Sequence, residues 1–214
     1  RRDYEELQLE TSADGILTGF CNINEDEVGE DNSHAAAIIY DYSVLAGSQG
    51  FFHHQKLDRI CEKAEEFSLP VVIFTEGGGG RPGDTDVTTQ IAGLHIPSFS
   101  TWARLTGKCL KIAVNNGYCF AGNAVLFGCS DFMIATKQSW IGMAGPAMIE
   151  GGGLGVYDPK EIGPAEEQYK NGVLDYLAED EKEATFIAKK LLSYFQGNLS
   201  CLLYTSPSPR DSRK

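Results

Sequence analysis

Two short apolar runs in this chain each empty into a glycine-rich loop. VVIFT (71–75) runs straight into TEGGGGRPGD (75–84), and LKIAV (110–114) leads within a few residues to YCFAGNAV (118–125). Uninterrupted apolar runs of this length fit strands buried on both faces, as in a parallel sheet. HAAAIIY (34–40) and DFMIAT (131–136) are two more strands of this kind. Helical spacing lies between them. Leu57, Ile60, Cys61 and Ala64 share one face of a helix that starts near Phe51 and must stop before Pro70. Residues 87–105 are expected to be mostly helix, interrupted near Pro97, and 121–128 a short helix. Asp180 caps a last helix whose Ala184, Ile187, Ala188, Leu191, Leu192 and Phe195 make one apolar stripe. Strand–loop–helix units in succession predict an α/β fold with crossover connections, and such folds place ligands at glycine loops on strand ends. NINEDEVGED (22–31) is expected to be a solvated hairpin turn.

The 214 residues suffice for one substantial domain, and 42% apolar with 22% charged residues is ordinary for a globular chain. No apolar run is long enough to span a membrane, and no apolar stretch follows Arg1-Arg2-Asp3, so neither a membrane segment nor a signal peptide is expected. A formal net charge of −12 argues against nucleic acid as a partner. Six cysteines without C-x-x-C spacing read as buried thiols in a reducing compartment, which points to the cytoplasm. CLLYTSPSPRDSRK, from Cys201, fits no helix or strand period. Residues 1–197 are therefore taken as one domain, expected to be a fragment, and 198–214 as a non-native tail.

Glycine loops expose backbone N–H groups, which hold an anion either at rest or during a reaction. A triphosphate loop is excluded because Gly80-Arg81-Pro82-Gly83-Asp84 lacks the lysine and hydroxyl it requires. The dinucleotide fingerprint fails as well: 77–82 ends on Pro82 where a glycine is needed, and EGGGLG (150–155) has the wrong spacing. The alternative is an oxyanion hole, in which two N–H groups stabilise the charge on a carbonyl oxygen as it becomes an enolate. Glycine suits close approach of substrate to backbone, and a helix starting at the second loop adds its positive end. A tight turn with close strand–helix packing is the competing reading of either loop.

TEGGGGRPGD, CFAGNAVLFGCSDFMIAT, IGMAGPAMIEGGGLG and GPAEEQYKNGVLDYL, in this order, resemble the N-terminal half of a biotin-dependent acyl-CoA carboxyltransferase over about residues 13–197. This is the β-type component of acetyl-CoA and propionyl-CoA carboxylases, of the crotonase superfamily. The resemblance implies a crotonase-like (ClpP/crotonase) spiral of repeated strand–strand–helix units. It places the family's first loop on Gly78, Gly79, Gly80 and Arg81, and the loop holding the thioester oxygen on Ala121, Gly122 and Asn123. Gly79, Gly80, Gly122 and Asn123 are the implied catalytic residues. Gly78, Arg81, Ala121, Gly145, Gly151 and Gly152 are implied to line the acyl and biotin groups. Asn123 stands where the family has glycine; its N–H survives, and asparagine tolerates left-handed dihedrals.

The implied reaction needs no protein base. Carboxybiotin on a separate or fused carrier releases CO2, its ring nitrogen takes the α-proton, and the enolate of the coenzyme A thioester attacks CO2. The implied partners are acyl-CoA, the biotin carboxyl carrier and biotin carboxylase components, and the carboxyltransferase C-terminal domain of another protomer in a homo-oligomer. A Gly122→Val change is expected to abolish transfer and spare the fold. An enoyl-CoA hydratase or isomerase of the same superfamily, or a catalytically incomplete assembly subunit, are the alternatives. A hydratase needs two carboxylates, and after the second loop this chain has Ala124, Val125 and Leu126, leaving Glu150 as one acid. Glu76 is expected to shape its turn. His53-His54 reads as a solvated or packed pair, since no further metal ligands follow at ligand spacing, and Cys119 as a packed thiol. Arg81, Lys108 and Lys137 are the candidates for coenzyme A phosphates.

Overall fold

The computed structural model describes residues 5, 9–81 and 96–197. The end of the first glycine cluster, residues 87–95 of the expected helix and the tail from 198 onward lie outside the described residues. A six-stranded sheet runs in the order β1 (Ile16–Asn22), β2 (His34–Tyr40), β3 (Val71–Phe74), β4 (Lys111–Asn115), β6 (Phe132–Thr136), β8 (Tyr176–Ala178). All neighbours from β2 onward pair in parallel, while β1 pairs antiparallel to β2 at the edge. Two three-residue strands, β5 (Tyr118–Phe120) and β7 (Trp140–Gly142), form a second parallel sheet.

The four apolar runs form the centre of the large sheet because both faces are covered. Successive residues alternate between two cores. Ile38, Val71, Ile73 and Ala113 face one side with Leu57, Ile60, Cys61 and Ala64 of a long helix. Val72, Ile112, Val114 and Ile134 face the other with Ala184, Ala188, Leu191 and Leu192 of the last helix. Each fully buried Val, Leu or Ile among them contributes about 1.5–3 kcal/mol.

The helices follow in chain order. Where a solvated turn was expected, α1 (Glu25–Val28) and α2 (Glu30–Ser33) join at Gly29 and close the hairpin between β1 and β2. The long helix is α3 (Phe51–Phe67), and α4 (Ser98–Arg104) begins after Pro97. Next come α5 (Gly122–Gly128), α6 (Pro146–Gly151) and α7 (Ala165–Lys170). The last, α8 (Glu181–Ser193), is capped by the Asp180 side chain accepting from Glu183 N–H at 2.9 Å. The sequences β4–β5–α5 and β6–β7–α6 are two strand–strand–helix units in succession. Their short strands turn out of the main sheet and carry the second glycine loop and Gly145.

Candidate active site

Three stretches of backbone meet beside the small sheet. The first is the loop 46–50 after β2, the second the glycine run 77–81 after β3, and the third the turn 120–123 between β5 and α5. Gly77 bridges in parallel to Cys119, donating to Tyr118 O (2.7 Å) and accepting from Phe120 N–H (2.9 Å). On the other side Gln49 bridges Gly80, donating to Gly79 O at 2.7 Å and accepting from Arg81 N–H at 2.9 Å. The glycines are needed for contact. A Cβ on Gly77 would stand 2.2 Å from Gly47 O, and one on Gly79, where φ is +94°, would stand 2.6 Å from the Ala121 Cβ and 3.3 Å from Gly122 N.

Each N–H of these loops can be followed to its acceptor. Gly78 donates to Ala46 O (2.9 Å), Gly79 to Asn123 Oδ1 (2.9 Å) and Ala121 to Gly142 O (3.0 Å). Among the described residues the N–H groups of Gly80, Gly122 and Asn123 meet no acceptor. Gly80 is exposed, with open space where a side chain would be. Asn123 is fully buried, so the two loops that touch through Gly79 and Ala121 present unpaired donors at Gly80 and Gly122. Gly79, expected as a donor, has its N–H taken by Asn123 and serves instead through its left-handed backbone.

Asn123 also differs from expectation. It is fully buried in the first turn of α5, and Ala121, at φ 51° and ψ −120°, is the residue in the unusual dihedral region. The Asn123 side chain binds the loops together: beyond Gly79, its Nδ2 donates to Thr75 O at 3.0 Å and Gly47 O at 3.4 Å. Gly145 caps α6 and lies against the Phe120 ring, one residue before the second loop. Gly151 and Gly152 are exposed at the far end of α6 and are not brought to the loops.

Arg81 is buried rather than presented to solvent. Its guanidinium pairs with Asp14, itself 7% exposed, and donates to Ser48 O at 3.0 Å. Lys108 pairs with Glu65 and Lys137 with Glu179 at the surface. All three candidate phosphate ligands therefore already hold an anionic or carbonyl partner. Glu76 accepts from Asn116 N–H at 2.6 Å, as a turn-shaping residue would, and burial raises its pKa. Glu150 is exposed on α6. Cys119 is buried against Thr75, and burial pushes its thiol up to about 12, so it is a packed thiol. His53 and His54 are buried, bound to Asp14 and Ser98, and no described group of three His, Cys, Asp or Glu is placed to hold a metal.

Asp14, Ser48 and Gln49, which anchor the first loop, were not singled out from sequence. A signal for two of them exists: Gly47-Ser48-Gln49-Gly50 is a third glycine-bracketed turn, in the connection from a buried strand and directly before a helix.

Buried parallel strands that deliver two glycine loops with unpaired N–H groups define the class as an α/β protein with a mostly parallel sheet. The carboxyl transferase domain family matches residues 31–211, and the chain belongs to that family. It is 30% identical over 187 residues, 87% of its length, to the methylmalonyl-CoA carboxyltransferase 12S subunit of Propionibacterium freudenreichii subsp. shermanii, of which it covers 34%. A single-chain, multi-domain long-chain acyl-CoA carboxylase superposes with a TM-score of 0.86 at 50% identity, over 92% of this chain and 19% of that one. The transcarboxylase 12S structure, described as a hexamer assembly with methylmalonyl-CoA bound, gives a TM-score of 0.72 at 29% identity over 85% of this chain and 34% of that one. The fold is therefore the crotonase-like one expected. The chain spans about a third of the length of its 12S relative. No helix among the described residues is long and apolar enough to cross a membrane.

Proposed function

We propose that this chain is the acyl-CoA-binding N-terminal part of a biotin-dependent acyl-CoA carboxylase. In this reading it stabilises a thioester enolate while a carboxyl group moves to the α-carbon. The observation that carries this is the pair of unpaired N–H groups, at Gly80 and Gly122, on loops in contact at Gly79 and Ala121. In this reading the thioester oxygen accepts from both. The developing charge strengthens both hydrogen bonds, so they act on the transition state more than on bound substrate. With seven residues α5 adds little macrodipole, and the two amides supply most of the effect.

Biotin, when present on its carrier, supplies the activated carboxyl group and the proton acceptor. The free donors at Gly80 and Gly122 are of the kind a thioester oxygen accepts from, which supports this reading. Among the described residues Gly151 and Gly152 are exposed, and in this reading the biotin ring is held on a surface completed by a C-terminal domain of another protomer in a homo-oligomer. The biotin carboxyl carrier and biotin carboxylase are the further partners, and the cytoplasm is the compartment. Among the described residues the carboxylates beside the loops, Asp14 and Glu76, are already held by Arg81 and by Asn116 N–H, and Ala124 and Leu126 are buried and apolar.

The test is ATP- and bicarbonate-dependent carboxylation of acetyl-CoA and propionyl-CoA by the full-length protein carrying this sequence, with its biotin carrier. Crotonyl-CoA hydration serves as the control. Avidin-sensitive carboxylation is expected, and hydration without carboxylation would overturn the reaction. Gly122→Val no longer serves as a clean probe, because a Cβ there stands 2.4 Å from Gln49 Oε1 and 3.2 Å from the Phe99 ring. Gly80→Pro removes an N–H that the fold does not use. It is expected to lower kcat about a hundred- to a thousand-fold with the melting temperature held.

A further inference from the structure

Gln49 is 3% exposed, and its carboxamide is only half satisfied. Nε2 donates to the Tyr40 hydroxyl at 3.1 Å, while Oε1 is buried with no partner. That orphaned end lies against the bare Cα of Gly122, 2.4 Å from where a Cβ would be, with the Phe99 ring closing the same face. A buried acceptor without a partner costs about 1–3 kcal/mol. A methionine of the same length would fill this space without that cost. The main chain of Gln49 already holds Gly79 and Arg81, so the amide head is not needed for the loop.

We propose that the Gln49 carboxamide is a third donor at this site, turned so that Nε2 faces the acyl oxygen held at Gly122; this rests on the oxyanion reading above. The two ends of a carboxamide exchange by a half-turn, and a tyrosine hydroxyl serves as either donor or acceptor. In the turned state the Tyr40 O–H donates to Oε1, and burial keeps that hydroxyl protonated. An oxygen lone pair beside the Gly122 N–H repels a developing enolate, whereas an N–H attracts it. Charge on the substrate therefore selects the turned orientation, and Tyr40 acts only through Gln49, as its positioning residue.

The test uses the full-length protein with its biotin carrier and four variants: Gln49→Met, Gln49→Glu, Tyr40→Phe and the Gln49→Met/Tyr40→Phe double. Steady-state kinetics with acetyl-CoA or propionyl-CoA and thermal unfolding are read on each. Gln49→Met is expected to lower kcat about a hundredfold or more, with KM for acyl-CoA within a few-fold. Its melting temperature should be unchanged or higher, because the orphan is gone. Gln49→Glu, read at a pH high enough to ionise the new carboxyl so that it offers only acceptors, should be at least as slow. Tyr40→Phe should lower kcat less than Gln49→Met, and the double variant should be no slower than Gln49→Met alone. Wild-type kcat in Gln49→Met, or wild-type kcat in Gln49→Glu, overturns the assignment while leaving the carboxyl-transfer reading intact. So does a joint fall of kcat and melting temperature in Gln49→Met, which marks a packing role. A wild-type protein that transfers no carboxyl group overturns both.

Discussion

Asn123 Oδ1 accepts the Gly79 N–H at 2.9 Å, so the second glycine loop fixes the first across 44 residues of sequence. The same side chain donates to Thr75 O and Gly47 O, and it is fully buried. One amide thus satisfies three main-chain groups on two other loops. Asn123→Gly, which restores the glycine of the resembling family, removes the partner of one buried N–H and of two buried carbonyls, the one on Gly47 held only at 3.4 Å. At about 1–3 kcal/mol for each unpaired group, the two well-made bonds alone are worth roughly 2–6 kcal/mol, and a loss in that range is expected. Urea unfolding of both proteins measures this, and a loss under about 1 kcal/mol would mean the clamp does not hold the loops.

Ala121 and Gly79 make a second, opposite pair of outcomes. Ala121 carries φ 51° and ψ −120°, a region where an L-residue is strained by about 1–3 kcal/mol. Ala121→Gly removes that strain and loses about 0.5–1 kcal/mol of backbone entropy, so it is expected to leave stability equal or slightly raised. Gly79→Ala adds a Cβ at φ +94° and 2.6 Å from the Ala121 Cβ, so it must both strain the backbone and push the loops apart. A fall of several degrees in melting temperature is expected for Gly79→Ala alone. Equal melting temperatures for the two variants would show that the loops are not in this contact.

The central sheet was legible because its strands are buried on both faces and so read as unbroken apolar runs. The edge strand β1 escaped because Leu17 and Phe20 are exposed and Gly19 interrupts the pattern, leaving Ile16 as its one fully buried residue. β5 and β7, three residues each, are too short for any period to show. Within the site, the glycines marked where the backbone comes close, since only a bare Cα permits it. Which N–H groups stay free depended on Asn123, Gln49 and Gly142, residues that reach the loops only in three dimensions. The basic residues misled for the same reason. Arg81 looks like a phosphate ligand in the sequence, and the fold returns its charge to Asp14, 67 residues upstream.

His53 gives the chain a specific acid sensitivity. Its Nδ1 is 3.1 Å from Asp14 O, a carbonyl that can only accept, so Nδ1 carries the proton and Nε2 is the bare nitrogen, buried without a partner. Burial pulls the ring pKa down from 6.5 to about 3. The folded state therefore stays neutral where the unfolded chain takes up a proton. A depressed pKa of this kind gives stability that is fully present above pH 6.5 and is lost as pH falls from there towards 3. The slope from this one group is at most about 1.4 kcal/mol per pH unit. Glu76, raised by burial, works the other way: its contribution is present below its ordinary 4.5 and lost above it. The two contributions therefore have opposite signs, and replacing His53 isolates the part that comes from the histidine. Urea unfolding at pH 7, 6 and 5 should show stability falling more steeply for the natural protein than for His53→Gln, which keeps a donor for Asp14 and cannot titrate. Parallel curves for the two proteins would place the acid sensitivity in another group.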